Sequence, residues 1–447
     1  MLTRLRPRMQ AGEGDDVPRP AGLSAVLQNA LWLLAGKGFG AILSLGYLAL
    51  ATRSLGVSQF GQFVLILGLG QAIVAIVSFQ TWQIVVRYGF APLGAGDRGG
   101  VGRLLGFCTA LDIAGALVGC LIAWGGTALF APRFGWSPAL TDQALLFCIV
   151  MLLSIRSTPV GILRLFDRFG VGAVADSATS VARLVGALIV VHLGASLTGF
   201  LIAWAVAEVV TAASYWSFAI WIAGPSLRRV RGFGKAPAEH PGLLRFAAVT
   251  NLSATLGTIS NQVAVLLVGL VAGPAAAGGY RLAYQLGQSL ARISDMVARS
   301  MFAELTRAVH ANEAADLKRL FRQSSRLAYG AAVVIVAVLF LIGKPALVMV
   351  AGPAYASSYP LLVLLGTAAA LDLGGVSFEP TLMATGHAGV AFRLRLAKAL
   401  VLLGLLAVLM PRIGALGAAL AMAGGSAIGL ALFGASARHA VYGSPNA

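Results

Sequence analysis

Twelve times along this chain an apolar run of about twenty residues or more recurs, rich in glycine and alanine and closed by a polar break. Such a segment can hide its backbone polar groups from lipid only as a helix, in which every N–H and C=O is satisfied internally. A transmembrane barrel would show alternating stretches of about ten residues instead. The expected fold class is therefore all-α, a polytopic membrane protein of about twelve transmembrane helices. Composition agrees: of 447 residues, 58% are hydrophobic and 11% charged, against about a quarter charged in soluble domains. A net charge of +17 would point to nucleic acid in a soluble protein. Here most basic residues lie in short breaks between runs, where they report topology, so no nucleic-acid partner is expected. Cys108, Cys120 and Cys148 all fall in apolar runs and read as small hydrophobes. No disulfide, metal site or cofactor is expected.

The runs cover 23–51, 61–86, 104–130, 139–163, 171–192 and 197–223, then 243–271, 278–304, 325–350, 357–381, 389–410 and 414–436. The polar stretch 224–242, with Pro225, Pro237 and Pro241 among four basic residues, reads as a linker between two six-helix lobes, 23–223 and 243–436. Tails of 1–22 and 437–447 flank them. The first tail mixes Arg4, Arg6 and Arg8 with Glu13, Asp15 and Asp16 and reads as cytosolic rather than as a signal peptide. A shift of 217 residues relates the lobes: Gly56 falls on Gly273, Gly61 on Gly278, Phe63 on Tyr280, and Leu69-Gly70-Gln71 on Leu286-Gly287-Gln288. Six runs per lobe make this a parallel repeat. Of 33 Lys and Arg, 23 lie in tails and loops on the side of the termini, and four (Arg53, Arg133, Lys344, Arg412) on the far side. That bias places both termini in the cytosol. After the eighth run, Asn312 caps an expected surface helix, with Glu313 and Asp316 early and Lys318, Arg319 and Arg322 late.

The chemistry concentrates on the eighth run. Arg281, Gln285, Gln288, Arg292, Asp295 and Arg299 are spaced by four, three, four, three and four residues, which confines them to roughly 80° of helix arc. A charge at the centre of a spanning helix costs about 2.5–3.5 kcal/mol even on the lenient scale, so this stripe must face protein or water. Arg292 sits closest to the middle. On the seventh run Asn251, Thr255, Thr258 and Gln262 share one face, and Gln71 occupies the repeat position of Gln288. Counting charges inside runs, with Asp142, Arg245, Glu304, Arg326, Lys344, Arg393, Arg395 and Lys398 assigned to the adjoining loops, the first, second, seventh and eighth carry Lys37, Arg281, Arg292 and Arg299 against Asp295, while the others carry two bases against five acids. The surplus points to an anion held in a basic cavity, and hydroxyls and amides beside arginines suit a sugar joined to a phosphate. Asp176 and Arg183 lie seven apart on one face, as do Asp372 and Glu379. With Glu208, these acids read as members of structural ion pairs or, alternatively, as an ion-coupling set. Arg156, before Pro159, reads as a cap for the carbonyl that the proline frees.

No G-x-x-x-x-G-K-[ST], H-E-x-x-H or G-x-S-x-G occurs. The longest far-side loop is about eight residues, too short for a catalytic domain. The chain is expected not to be an enzyme.

Leu55-Gly56-Val57-Ser58-Gln59-Phe60-Gly61-Gln62-Phe63, Arg156-Ser157-x-Pro159 and Gly278-Gly279-Tyr280-Arg281 resemble the lipid-linked oligosaccharide flippases of bacterial O-antigen and capsule assembly. These form the polysaccharide-transporter family of the multidrug and oligosaccharidyl-lipid exporter superfamily. The resemblance implies two six-helix lobes in a V around a central cationic cavity. It also implies an undecaprenyl-pyrophosphate-linked oligosaccharide as cargo, moved across the inner membrane among membrane lipids, with other polysaccharide assembly proteins as partners. A multidrug/cation antiporter shares the fold but is expected to bind with acids. A membrane-embedded polymerase or ligase would need a large far-side loop.

Overall fold

The computed structural model describes the backbone of residues 23–227, 232–310, 314–385 and 387–442. Within these it describes the side chains of 40, 43–224, 226, 232–252, 254–255, 262–289, 318–319, 321–383, 385, 387 and 389–442. The described residues are helical, with no strand: α1 Leu23–Val77, α2 Thr81–Gly94, α3 Arg98–Phe130, α4 Pro138–Leu153, α5 Ser157–Leu165, α6 Phe169–His192 and α7 Leu197–Leu227. There follow α8 Ala236–Glu239, α9 Leu243–His310, α10 Ala314–Ala351, α11 Tyr359–Gly374, α12 Phe378–Ala384 and α13 Ala388–Tyr442. Large apolar side chains such as Leu121, Trp124, Val333 and Leu341 point outwards and exposed, the pattern of a protein solvated by lipid rather than water.

Nine helical stretches among the described residues are long and apolar enough to cross a membrane. Three of them double back, which gives twelve legs. Tyr47 and Phe63 both pack edge-on against Trp204, with ring centroids 4.6 and 5.2 Å away. A straight helix would hold them about 24 Å apart, so α1 folds back at Gly56. Gln262 and Arg281, about 28 Å apart on a straight helix, both reach Gln71, so α9 folds back at Gly273. In α13 a Cβ on Gly429 would lie 2.8 Å from the Lys398 stem, which puts the turn at Gly414.

Gly56 (φ 69°, ψ −179°) and Gly273 (φ 84°, ψ 172°) share one left-handed conformation across the 217-residue shift, a region that penalises any Cβ. Gly135 (φ 65°) and Gly352 (φ 94°) are related by the same shift. Just inside the first pair of turns the second and eighth legs cross backbone to backbone. A Cβ on Gly61 would sit 1.9 Å from the Pro274 carbonyl oxygen. Arg53 ties the same end to the other half, donating to the carbonyls of Met349 and, at 3.2 Å, Val350. Tyr355 adds a 3.3 Å bond to the Gly56 carbonyl.

The described part of the linker packs against the start of α3, where Arg103 Nε lies 2.7 Å from Glu239 and Ala236 is fully buried. One expectation changes here, that of a separate surface helix after the eighth run. The basic residues beyond the eighth run begin α10 itself, which runs without a break into the ninth leg. Asn312, the expected cap, lies outside the described residues.

Candidate functional site

Two legs are interrupted at one depth. The second breaks at Ser78, Phe79 and Gln80, and the fourth between Leu153 and Ser157. Pro159 sits in the first turn of α5, where a missing N–H costs nothing but where α4 could not have continued. Asp112 of α3 lies at both new helix starts. It accepts from Thr81 Oγ1 (2.9 Å), Thr158 N (3.0 Å) and Thr158 Oγ1 (2.6 Å), a favourable position for a carboxylate at two positive helix ends. The freed carbonyls find side chains. Ile155 O accepts from Trp216 Nε1 at 2.9 Å, Ser78 O from Asn251 Nδ2 at 3.0 Å, and Ala75 O from Thr255 Oγ1 at 2.7 Å.

The breaks open a cavity of about 480 Å³ inside the first half, bounded on its central side by Gln71 and Gln262. Its floor is an ion triad. Buried Glu208 bridges Arg156 (2.6 Å) and Arg183 (2.5 Å), one guanidinium on each carboxylate oxygen. Arg183 also stacks 4.5 Å over the Trp204 ring, a favourable contact for a guanidinium. Asp176 accepts from the Tyr215 hydroxyl at 2.6 Å. At the central wall, Gln71 Oε1 accepts from Gln262 Nε2 (2.9 Å) and Arg281 Nη2 (3.3 Å), so legs two, seven and eight meet on one oxygen. Arg183 Nε and Gln262 Oε1 are buried without a hydrogen-bond partner among the described residues.

Of the residues singled out in the sequence, Gln71, Gln262, Asp176 and Glu208 line this cavity, and Arg281 reaches its wall. Asn251 and Thr255 do not line it. They are spent on the backbone of the second leg, because that break leaves carbonyls needing donors. Gln285 and Gln288 are half-buried on leg eight, outside the cavity. The side chains of Lys37, Thr258, Arg292, Asp295 and Arg299 lie outside the described residues. The ion pairs are made between legs, and the expected role of Arg156 as a cap is corrected. Arg183 pairs with Glu208 and not with Asp176, since seven residues separate their Cα atoms by about 10 Å along one helix. Arg156 caps no carbonyl freed by the proline but shares the same glutamate.

In the second half, Asp372 pairs with Lys398 at 2.5 Å and Glu379 with Arg395. Both bases were missed as site residues because they follow a loop and count there as topology signals. An i, i+3 spacing on the first turns of α13 was the available clue. The tenth leg is itself broken, between α11 and α12, so each half sets a charged, interrupted helix against its neighbours. The sign inverts: a base on the broken leg faces an acid in the first half, and acids face bases in the second.

Residues 137–302 match the family described as polysaccharide biosynthesis proteins. Over 348 residues, 75% of this chain and 95% of the relative, the sequence is 29% identical to the inner membrane protein YghQ of Escherichia coli (strain K12). An inward-facing multidrug-resistance MATE transporter of the MOP superfamily superposes with a TM-score of 0.70 at 16% identity, covering 93% of this chain and 98% of that one. The lipid II flippase MurJ, in an inward closed conformation, superposes with a TM-score of 0.72 at 13% identity, covering 91% and 87%. These matches bear out the resemblance read from the motifs. The chain is an all-α, multi-pass membrane protein with the fold of MOP-superfamily transporters.

Proposed function

We propose that this protein is a flippase moving an undecaprenyl-pyrophosphate-linked oligosaccharide repeat unit from the cytosolic to the periplasmic leaflet of the inner membrane, for surface polysaccharide assembly, by alternating access between its lobes. The observation that carries the reading is the convergence of a guanidinium and an amide N–H on one oxygen where the halves meet. A phosphate oxygen taking the place of Gln71 Oε1 would receive both donors, the Arg281 one as a charge-assisted bond. Unpartnered Arg183 Nε and Gln262 Oε1 offer a donor and an acceptor to the attached sugar. Lys37, Arg292 and Arg299 would extend the basic surface on sequence grounds, and Asp176 and Glu208, which line the cavity, are candidate acids for a coupling ion.

The test counts lipid-linked oligosaccharide delivered to the periplasmic leaflet, per folded transporter, in cells lacking their own flippase. Arg281→Lys should deliver partially and Arg281→Ala about tenfold less or worse, since a charged hydrogen bond contributes about 1.5–3 kcal/mol and lysine lacks the planar fork. A folded wild-type protein that delivers nothing overturns the proposal. A second reading, a multidrug or cation antiporter, has one observation in its favour: Asp112, Asp176 and Glu208 outnumber Arg156 and Arg183 around the described cavity. It predicts drug or cation extrusion in those same cells, without oligosaccharide delivery.

The cytosolic placement of both termini is checked separately. In a variant lacking Cys108, Cys120 and Cys148, single cysteines at exposed Ser137 and Ala275 should react with an impermeant thiol reagent applied outside cells. Cysteines at exposed Gly234 and Arg319 should not. The reverse pattern inverts the topology.

A further inference from the structure

The second half holds an open cleft of about 810 Å³, between α10, the broken α11–α12 leg and both legs of α13, a size within the roughly 300–1,000 Å³ of small-ligand sites. Among the described residues, none of its lining lies on α9. It shares no lining residue with the cavity bounded by Gln71 and Gln262.

Its charges form two facing walls. Asp372 and Glu379 stand on the broken tenth leg, and Arg395 and Lys398 on the next. The side chains are not sealed: 43% of Asp372, 32% of Lys398, 32% of Glu379 and 43% of Arg395 is exposed. Between them Ser377, itself 7% exposed, carries a buried hydroxyl with no partner among the described residues. Met383, Leu430 and Phe433 supply an apolar side, and Met383 is exposed at the outer surface.

An anion alone entering this space meets two carboxylates as well as two bases, and a cation alone meets the converse. A group carrying both a phosphate and an ammonium meets neither penalty. It exchanges each internal pair for a new one and buries no net charge, the condition under which ions tolerate low dielectric. We propose that this cavity binds the headgroup of an ethanolamine phospholipid. The phosphate lies on Arg395 and Lys398 with the Ser377 hydroxyl as a third donor, the ammonium on Asp372 and Glu379, and an acyl chain along Met383 and Phe433. A Cβ on Gly429 would approach the Lys398 stem to 2.8 Å, so a side chain there would push that stem aside.

The full-length protein, reconstituted in nanodiscs with equal amounts of phosphatidylethanolamine and phosphatidylglycerol of identical acyl chains, is released and its retained lipids counted by native mass spectrometry. Wild type should retain phosphatidylethanolamine about tenfold over phosphatidylglycerol, which lacks the ammonium and so one charge-assisted interaction. Glu379→Gln/Arg395→Gln, which keeps a neutral pair of similar shape and leaves Asp372 and Lys398 in place, should lower the ratio several-fold. Lys344→Gln, exposed at the far side, should leave it unchanged. Should the double variant fail to fold, Ser377→Ala serves instead, with retention of both lipids reduced and their ratio preserved. Equal retention of the two lipids by wild type overturns the proposal, as does an undiminished preference in the double variant or unchanged retention in Ser377→Ala. Soluble phosphoethanolamine binding the delipidated protein as tightly as the lipid would overturn the assignment to a membrane lipid. The readout is binding, independent of which cargo the transporter moves.

Discussion

Gln71→Glu should abolish oligosaccharide delivery while leaving the unfolding temperature in detergent unchanged or higher. The substitution alters one group at the oxygen on which Gln262 Nε2 and Arg281 Nη2 converge. A carboxylate accepts both bonds at least as well as the amide, and the one from arginine, already charge-assisted by its donor, becomes an ion pair. Burial of the new charge works against that gain, so a large rise is not expected. For a pyrophosphate cargo the result is occlusion. The receptacle then holds its own anion, and the incoming one loses an arginine contact of about 1.5–3 kcal/mol besides meeting a like charge. Delivery per folded molecule should fall about a hundredfold. A cation antiporter would respond in the other direction, because an added carboxylate beside its cavity strengthens cation binding. Near-wild-type delivery by a folded Gln71→Glu would detach this seam from cargo recognition.

What made this seam legible was the repeat. Gly56 and Gly273, which the 217-residue shift aligns, share one positive-φ conformation, and the requirement that only glycine meets there is readable in one dimension. Gly61 and Gly278, aligned by the same shift, also meet at the crossing of the two legs, where a Cβ on Gly278 would lie 3.1 Å from the Gly61 Cα. The polar stripe on the seventh leg was visible too, yet Asn251 and Thr255 serve backbone carbonyls and not the cavity. Nothing in Ser78-Phe79-Gln80 announces a helix break: there is no proline or glycine, and what stabilises the break, Asp112 on α3, is 31 residues from Thr81. Ion pairs were readable as residues but not as partners. Periodicity pairs positions three, four or seven apart on one helix, whereas Glu208 reaches Arg183 and Arg156 across 25 and 52 residues. Charge counting failed at Arg395 and Lys398 for a related reason. Their place close to a loop assigned them to the cytosol, while the break in the tenth leg brings its acids to them.

The triad around Glu208 should give the largest loss of stability in the first half. Glu208→Gln removes the single carboxylate shared by two guanidiniums, and breaking a buried pair by deleting one partner costs about 3–5 kcal/mol. The value should fall towards the lower end, because Arg156 is 44% exposed and can turn into the cavity, whereas Arg183, at 20%, cannot leave its place over Trp204. Low yield and early unfolding of Glu208→Gln are therefore expected. They do not separate a structural acid from a coupling one. The double variant Arg156→Gln/Glu208→Gln does. It leaves one arginine, still supported by the Trp204 ring, and removes the repulsion between two unpaired bases, so most of the lost unfolding temperature should return. Delivery by that refolded variant then decides the role of the acid. If Glu208 couples an ion, the double variant should carry cargo only down its own gradient and ignore an imposed ion gradient. Gradient-driven delivery at the wild-type rate would place coupling elsewhere and leave Glu208 as the counter-ion that holds the fourth, fifth and sixth legs around the cavity.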